Sequence, residues 1–256
     1  MTRVTVEITH LGAKGDGIGM GPHGPLYVPR AIPGDLVSVD LAYDEPQIVT
    51  IERASAHRIA PFCALFGACG GCLIQEADAT TYLAWKHARV VEALAPLGVA
   101  SLIKPIIDAH GAGRRRVTFH ARRSATGIEI GFMRARSHDL IAIQSCPVLA
   151  PALERAPSVA RALAQRFISS AKPLDLVMTE TMSGLDVDLR GHGAANSSLR
   201  KSLALDADHL DLARIAMHGE TVIERRRPVL SIGRAAVMIP PGAFLQATRL
   251  GEDTLA

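Results

Sequence analysis

The 256-residue sequence contains no run of about 18 apolar residues, the length a helix needs to cross the hydrocarbon core of a bilayer. It has no internal repeat and no low-complexity tract. Cysteine is scarce, with four in the chain, too few for a disulfide scaffold of this size. Lysine is scarce too: of 28 basic residues only five are Lys. The start, Met1-Thr2-Arg3-Val4-Thr5-Val6-Glu7-Ile8, lacks the continuous apolar core of a signal peptide, so a cytoplasmic location is expected. In that reducing compartment, clustered cysteines point to metal or catalysis. What is present is a chain of 48% hydrophobic and 21% charged residues, which excludes a wholly disordered polymer and is long enough for more than one domain.

The formal charge of +3 hides a division. Residues 1–54 carry four Lys/Arg against seven Asp/Glu, residues 55–146 eleven against six, and residues 147–256 thirteen against twelve. Most of the excess lies between Arg114 and Arg136, where Arg114, Arg115, Arg116, Arg122, Arg123, Arg134 and Arg136 face only Glu129. Guanidinium makes planar two-pronged contacts to phosphate and stacks on bases, so this cluster points to a polyanion. A solvated strand face is the plainer alternative for any charge run.

The fold expected is mainly β and α+β. Val4, Val6 and Ile8 alternate with polar residues as in a half-buried strand, and a glycine-rich turn follows. Further strands are expected at 25–28, 35–40 and 48–53, which fits a small OB-like barrel over 1–54. Gly19-Met20-Gly21-Pro22-His23-Gly24 matches GxGxxG literally, but a Pro-bounded strand follows it instead of a phosphate-binding helix. Residues 55–100 hold a cysteine loop and a helix from Gln75 to Leu94, with Tyr82 and Trp85 as core residues. Residues 101–230 form a central α+β domain with strands at 115–123, 128–134, 140–144, 174–181 and 185–189, at least one more within 210–226, and a helix over 151–171. Arg116, Thr118, His120 and Arg122 alternate with Val117, Phe119, Ala121 and Arg123, giving one basic and one largely apolar face. In 231–256 a strand near 235–239 precedes a helix expected to begin near Phe244.

The cysteines are spaced Cys63-x5-Cys69-Gly-Gly-Cys72, with Cys146-Pro147 far downstream. Converging thiolates need a backbone without side chains where it wraps closest, which Gly70-Gly71 provides. Spacing alone leaves open an iron–sulfur cluster, a structural zinc and unrelated thiols; zinc usually takes paired C-x2-C knuckles, which are absent.

These residues together resemble the uracil-C5 RNA methyltransferases, in the branch acting on 23S rRNA. The motifs that carry the likeness are Gly15-Asp16-Gly17-Ile18-Gly19 and Ile32-Pro33-Gly34-Asp35, the four cysteines, Gly113-Arg114-Arg115-Arg116, Ile130-Gly131-Phe132, Ser145-Cys146-Pro147-Val148-Leu149 and Phe244-Leu245-Gln246. The resemblance implies that the first barrel is a TRAM domain and that Cys63, Cys69, Cys72 and Cys146 ligate a [4Fe–4S] cluster of structural role. It implies that Gln246 contacts S-adenosylmethionine, although the family often has Asn where this chain has Thr248. Residues 231–256 would open a Rossmann-like methyltransferase domain whose catalytic cysteine and general base are not among these 256 residues, so no catalytic residue is assigned and the chain alone would be inactive. In that chemistry a thiolate adds at C6 of a flipped-out uracil and makes C5 nucleophilic. The RNA contacts are expected from Arg114, Arg115, Arg116, Arg122, Phe132 and Arg134, with Lys14 and Arg30 as local patches on the acidic barrel and 225–227 as a second basic site. The partners implied are RNA, foremost 23S rRNA, and no membrane; the protein would act as a monomer. A non-catalytic RNA-binding module with a structural four-cysteine metal site is the alternative, and an electron-transfer protein is disfavoured by the basic strand.

Overall fold

The protein is described by a computed structural model over residues 3–43, 45–125, 127–167 and 173–256. Two units divide the chain, Met1–Asp108 and Ala109–Ala256.

In the first unit the alternation of Val4, Val6 and Ile8 becomes strand β1 (Arg3–Leu11). It is followed by β2 (Gly17–Gly21), β3 (Gly24–Val28), β4 (Leu36–Asp40) and β5 (Gln47–Arg53), all antiparallel in the order β3-β2-β1-β4-β5. β1 serves two neighbours in turn: Arg3 to Glu7 pair with β4, and Ile8 to Leu11 pair with β2 across a register shift. Val6, Ile8, Val28, Ala31, Val37 and Val39 form the buried core. Part of the expected glycine-rich turn is therefore a strand. A Cβ on Gly19 would lie 2.3 Å from Val6 Cγ1, so this glycine serves close packing.

The expected barrel is not closed. Among the described residues β3 and β5 end the sheet order unpaired with each other, and β5 is largely exposed, so it offers no buried face to complete a ring. The turn from β3 to β4 is fastened by Asp35, which is fully buried, accepts the backbone N–H groups of Ile32 and Ser55, and pairs with Arg58. Burial alone would raise its carboxyl; the Arg58 guanidinium and then the two N–H groups outweigh that and hold it below the ordinary range.

Helix α1 (Ala79–Leu94) begins four residues later than its apolar spacing suggested. Gln75 and Glu76 are instead buried in the preceding loop, where Glu76 accepts the Gln75 N–H on its carboxylate and the Ile59 N–H on its carbonyl. Asp78 caps the helix by accepting the Thr81 N–H at 2.8 Å. Trp85 is buried and donates its indole N–H to the Gly12 carbonyl at 2.9 Å.

The second unit holds a seven-stranded sheet, β12-β11-β10-β9-β6-β7-β8. Its strands are β6 (Arg116–Ser124), β7 (Gly127–Met133), β8 (Leu140–Ala142), β9 (Leu174–Thr181), β10 (Gly184–Arg190), β11 (Leu212–Met217) and β12 (Glu220–Glu224). Every neighbouring pair is antiparallel except β10 and β11, which are joined by helix α3 (Ser197–His209), an element absent from the sequence reading. The helix expected over 151–171 is a 3-10 turn at Pro151–Leu153, helix α2 (Ala156–Ala164) and a second turn at Gln165–Phe167; residues 168–171 lie outside the described residues. α2 packs its buried Val159, Ala160 and Leu163 against β6, β7 and β9. A hairpin of β13 (Val229–Ile232) and β14 (Ala235–Met238) precedes helix α4 (Arg249–Leu255). α4 starts at Arg249, where Thr248 Oγ1 accepts the Gly251 N–H, and not near Phe244, which is exposed. No helix among the described residues is long and apolar enough to cross a membrane.

The α1 cap supplies a pH prediction. The Thr81 backbone N–H first, then His57, lower the Asp78 carboxyl from 3.8 to about 2. Its folded value is depressed, so the cap contributes fully above the unfolded value of 3.8 and is lost as pH falls through about 2. Denaturant melts should show wild type losing stability relative to Asp78→Asn, which caps without titrating, between about pH 4 and pH 2. Parallel pH profiles would remove this coupling.

Candidate nucleic-acid interface and cysteine loop

β6 carries the arginine pattern, and its burial follows the expected alternation. Val117, Phe119 and Ala121 are buried, while Thr118 is exposed and Arg116, His120 and Arg122 are half-buried on the opposite face. His120 pairs with Asp175 of β9 at 2.7 Å on that face. The strand start is locked by Gly113, which has φ +102° and would bring a Cβ within 2.9 Å of the Leu149 carbonyl. Arg114 N–H donates to Val148 O and Arg114 O accepts from Ala150 N, so the Cys146-Pro147 segment runs beside the arginines.

The six residues expected to touch RNA separate into three groups. Arg114 and Arg134 are exposed, Arg134 in the turn after β7 where its N–H donates to Asp139 O. Arg122 is half-buried, with Nη2 3.9 Å from Met133 Sδ. Arg115, Arg116 and Phe132 are placed otherwise. In the β6–β7 register Ala121 faces Ile130, so Phe132 shares the apolar face, and its ring lies 5.5 Å from that of Phe119. Arg115 is 6% exposed and turned inward. Its Nη2 bonds Glu252 at 2.7 Å, its Nε bonds Gln246 O at 3.4 Å, and its backbone N–H bonds Ala247 O at 2.9 Å. Arg116 donates to the carbonyls of Gly242 and Ala243. Two arginines of the cluster thus hold the 242–252 segment, and Glu252, which the sequence reading missed, is what turns Arg115 away from solvent. No local motif marks that pairing across 137 residues.

The other basic candidates are also resolved by their partners. Arg225 and Arg226 are engaged by Asp208 and Asp211, and the Asp211 carboxyl is lowered by Arg226 first and then Arg225. Lys14 and Arg30 are exposed in the first unit. Gln246 is half-buried; its backbone is held by Arg115, and its side-chain amide is uncommitted among the described residues, which suits a polar ligand contact.

The four cysteines are half-buried. In the loop, Phe66 N–H bonds Cys63 O, Cys69 N–H bonds Leu65 O, and Gly71 N–H reaches Cys69 Sγ at 3.4 Å. One observation fits a thiolate-held centre: the buried Nε2 of Gln75 beside Cys63 has no partner. A Cβ on Gly71 would meet Cys69 Sγ only at the ordinary contact distance of 3.5 Å, so space does not require glycine there. The assembled geometry does not match the expectation. Among the described residues no three His, Cys, Asp or Glu side chains lie close enough together to hold a metal ion, so the expected thiolate site is not gathered.

Comparison with known proteins gives the relatives of the chain. No protein-family model matches the chain. Over its whole length it is 36% identical to an uncharacterized RNA methyltransferase of Agrobacterium fabrum, covering 63% of that protein. Over 98% of its length it is 35% identical to an uncharacterized RNA methyltransferase of Brucella suis, covering 60% of it. At 27% identity, 95% of the chain matches 59% of the 23S rRNA (uracil(1939)-C(5))-methyltransferase RlmD of Aeromonas salmonicida. The chain therefore has RNA methyltransferases as its homologues and spans about three fifths of the length of these curated relatives.

The Arg115 clamp predicts a local effect. Arg115→Ala leaves Glu252 unpaired in a largely buried site and should cost about 3 kcal/mol of unfolding free energy. Hydrogen exchange should rise across residues 242–256 while β9 stays protected, and Arg115→Lys, which keeps the charge without the fork, should restore part of the loss. Unchanged exchange at 242–256 in Arg115→Ala would show the clamp to be idle.

Proposed function

We propose that this chain is the RNA-handling part of an S-adenosylmethionine-dependent methyltransferase that forms 5-methyluridine in 23S rRNA. The observation that carries the reading is similarity over the whole of this chain, at 36% identity, to 63% of a protein named an RNA methyltransferase. The likeness to the RlmD of Aeromonas salmonicida and the Phe244-Leu245-Gln246 motif support the uracil-C5 and rRNA assignments.

In this reading the outer face of β6 and the turn after β7 take the RNA backbone, with Arg114, Arg122 and Arg134 as phosphate contacts. Thr118 and the His120–Asp175 pair lie among them as hydrogen-bonding groups. Arg115 and Arg116 act at one remove by fixing the segment that carries Gln246, whose amide would contact S-adenosylmethionine. When bound, that cofactor supplies an electrophilic methyl group. The N-terminal sheet serves as the TRAM-type RNA-binding domain through Lys14 and Arg30. The family resemblance assigns Cys63, Cys69, Cys72 and Cys146 to a [4Fe–4S] cluster of structural role, but the described residues do not gather them, so no step of this reading passes through a cluster. The protein works in the cytoplasm as a monomer.

Two assays test this. Replacement of the C5 hydrogen releases tritium from 23S rRNA labelled at uridine C5, so the product of the whole reading frame with S-adenosylmethionine should release it. Methyl incorporation without tritium release would exclude uracil C5. For binding, Arg114→Ala and Arg134→Ala should each weaken RNA affinity and reduce the salt slope by about one. Phe132→Leu should lower the thermal midpoint and leave the slope alone. Unaltered affinity and slope in both arginine variants would take β6 and its turn out of the interface.

A further inference from the structure

The side chains of Arg114, Arg122 and Arg134 offer an RNA backbone nothing but N–H donors. Among the described residues the Arg122 guanidinium makes one hydrogen bond, from Nη2 to Met133 Sδ at 3.9 Å. Such a surface meets phosphate, which RNA and DNA share. What separates the two is the ribose 2′-hydroxyl, a donor that a phosphodiester lacks, so reading it calls for an acceptor.

His120 lies on the same face of β6, half-buried, between Thr118 and Arg122. In the sheet register its neighbours are Asp175 of β9 on one side and Gly131 of β7 on the other. Asp175 Oδ1 is 2.7 Å from Nδ1. A carboxylate only accepts, so Nδ1 carries the hydrogen, and in the neutral ring Nε2 is then an acceptor. Nε2 leaves the ring on the side away from Asp175, and among the described residues it has no hydrogen-bond partner. Gly131 places no side chain beside it. A Cβ there would lie 1.8 Å from the Ile141 carbonyl oxygen, so the packing of β8 keeps that position bare.

Two carboxylates share the face, Asp175 itself and Glu129, which stands opposite Arg122. Their charge opposes a phosphodiester, whereas the imidazole nitrogen accepts without charge. His120 and Arg122 are two residues apart, about 6.6 Å along the strand, a spacing that suits neighbouring groups of one RNA backbone.

We infer that His120 is a specificity-determining residue for ribose: its Nε2 accepts from a 2′-hydroxyl of the RNA while Arg122 holds a neighbouring phosphate. Asp175 is the positioning residue that sets the tautomer. The inference rests on the RNA reading of β6 given above.

The test measures affinity, at about pH 8.5 with imidazole neutral, for three transcripts of 23S rRNA. One is natural, one carries 2′-fluoro pyrimidines and one 2′-fluoro purines, since fluorine removes the hydroxyl donor and keeps the sequence. Wild type should bind one fluorinated transcript about five-fold or more weaker than the natural one, the worth of one neutral hydrogen bond. His120→Arg adds charge but removes the acceptor, so that penalty should shrink about five-fold. His120→Gln keeps an acceptor and should retain part of it, and Asp175→Ala, which frees the ring, should lose part of it. Arg122→Ala should weaken all three transcripts alike. Thermal melts establish that each variant is folded. No penalty in wild type, or one of equal size in wild type and His120→Arg, would overturn the role of His120 while the RNA reading stands. Wild type without affinity for the natural transcript, or Arg114→Ala, Arg122→Ala and Arg134→Ala all without effect, would overturn the RNA reading and this inference with it.

Discussion

One buried guanidinium organises the 242–252 segment of the second unit. Arg115 enters the sheet beside β6, its carbonyl accepts from Glu180 at the end of β9, and its side chain reaches Gln246 O and Glu252. A guanidinium can leave water only if most of its donors are met, and its planar fork meets a carboxylate and a carbonyl together. That requirement fixes where the 242–252 segment lies, and Arg116 adds the Gly242 and Ala243 carbonyls from the next position. The same solution recurs in the sheet, where Arg214 and Asp186 form a two-pronged pair between β10 and β11 with both side chains 4% exposed. In the first unit, Arg58 does this for Asp35.

This use of arginine decides how the basic cluster is read. Seven arginines between 114 and 136 look like one electrostatic surface in the sequence. Packing assigns two of them, Arg115 and Arg116, to internal carbonyls and a carboxylate; of the other five, Arg114, Arg123, Arg134 and Arg136 are exposed and Arg122 is half-buried. Charge counts give the sign of a surface, and only the partners of each guanidinium show which members of the count are on it.

Much of the architecture was legible because it depends on local alternation. β9 spans the expected residues 174–181, and β6 shows the expected two-faced burial, since period-2 patterning is a direct image of a half-buried strand. Elements decided by distant partners were not legible. β2 is a strand because Gly19 can pass Val6, which no local signal in Gly17–Gly21 announces. α3 has only Leu203 and Ala207 buried, too thin an apolar stripe to stand out from sequence. α1 started late because Gln75 and Glu76 have tertiary partners that outweigh their helical propensity. The barrel failed to close because strand count says nothing about whether the end strands meet. Of the site, the arginine strand could be read, but Glu252 and Gln75, the residues that restrain it and the cysteine loop, could not.

The proposed function requires RNA on the outer face of β6. Photo-crosslinking of 23S rRNA carrying 4-thiouridine, with mapping of the modified peptides, reads this directly. Adducts are expected in the second unit within peptides spanning Arg114 to Arg122 and Phe132 to Arg136. Adducts confined to the α3 side around Arg225 and Arg226, or none in the second unit, would contradict it.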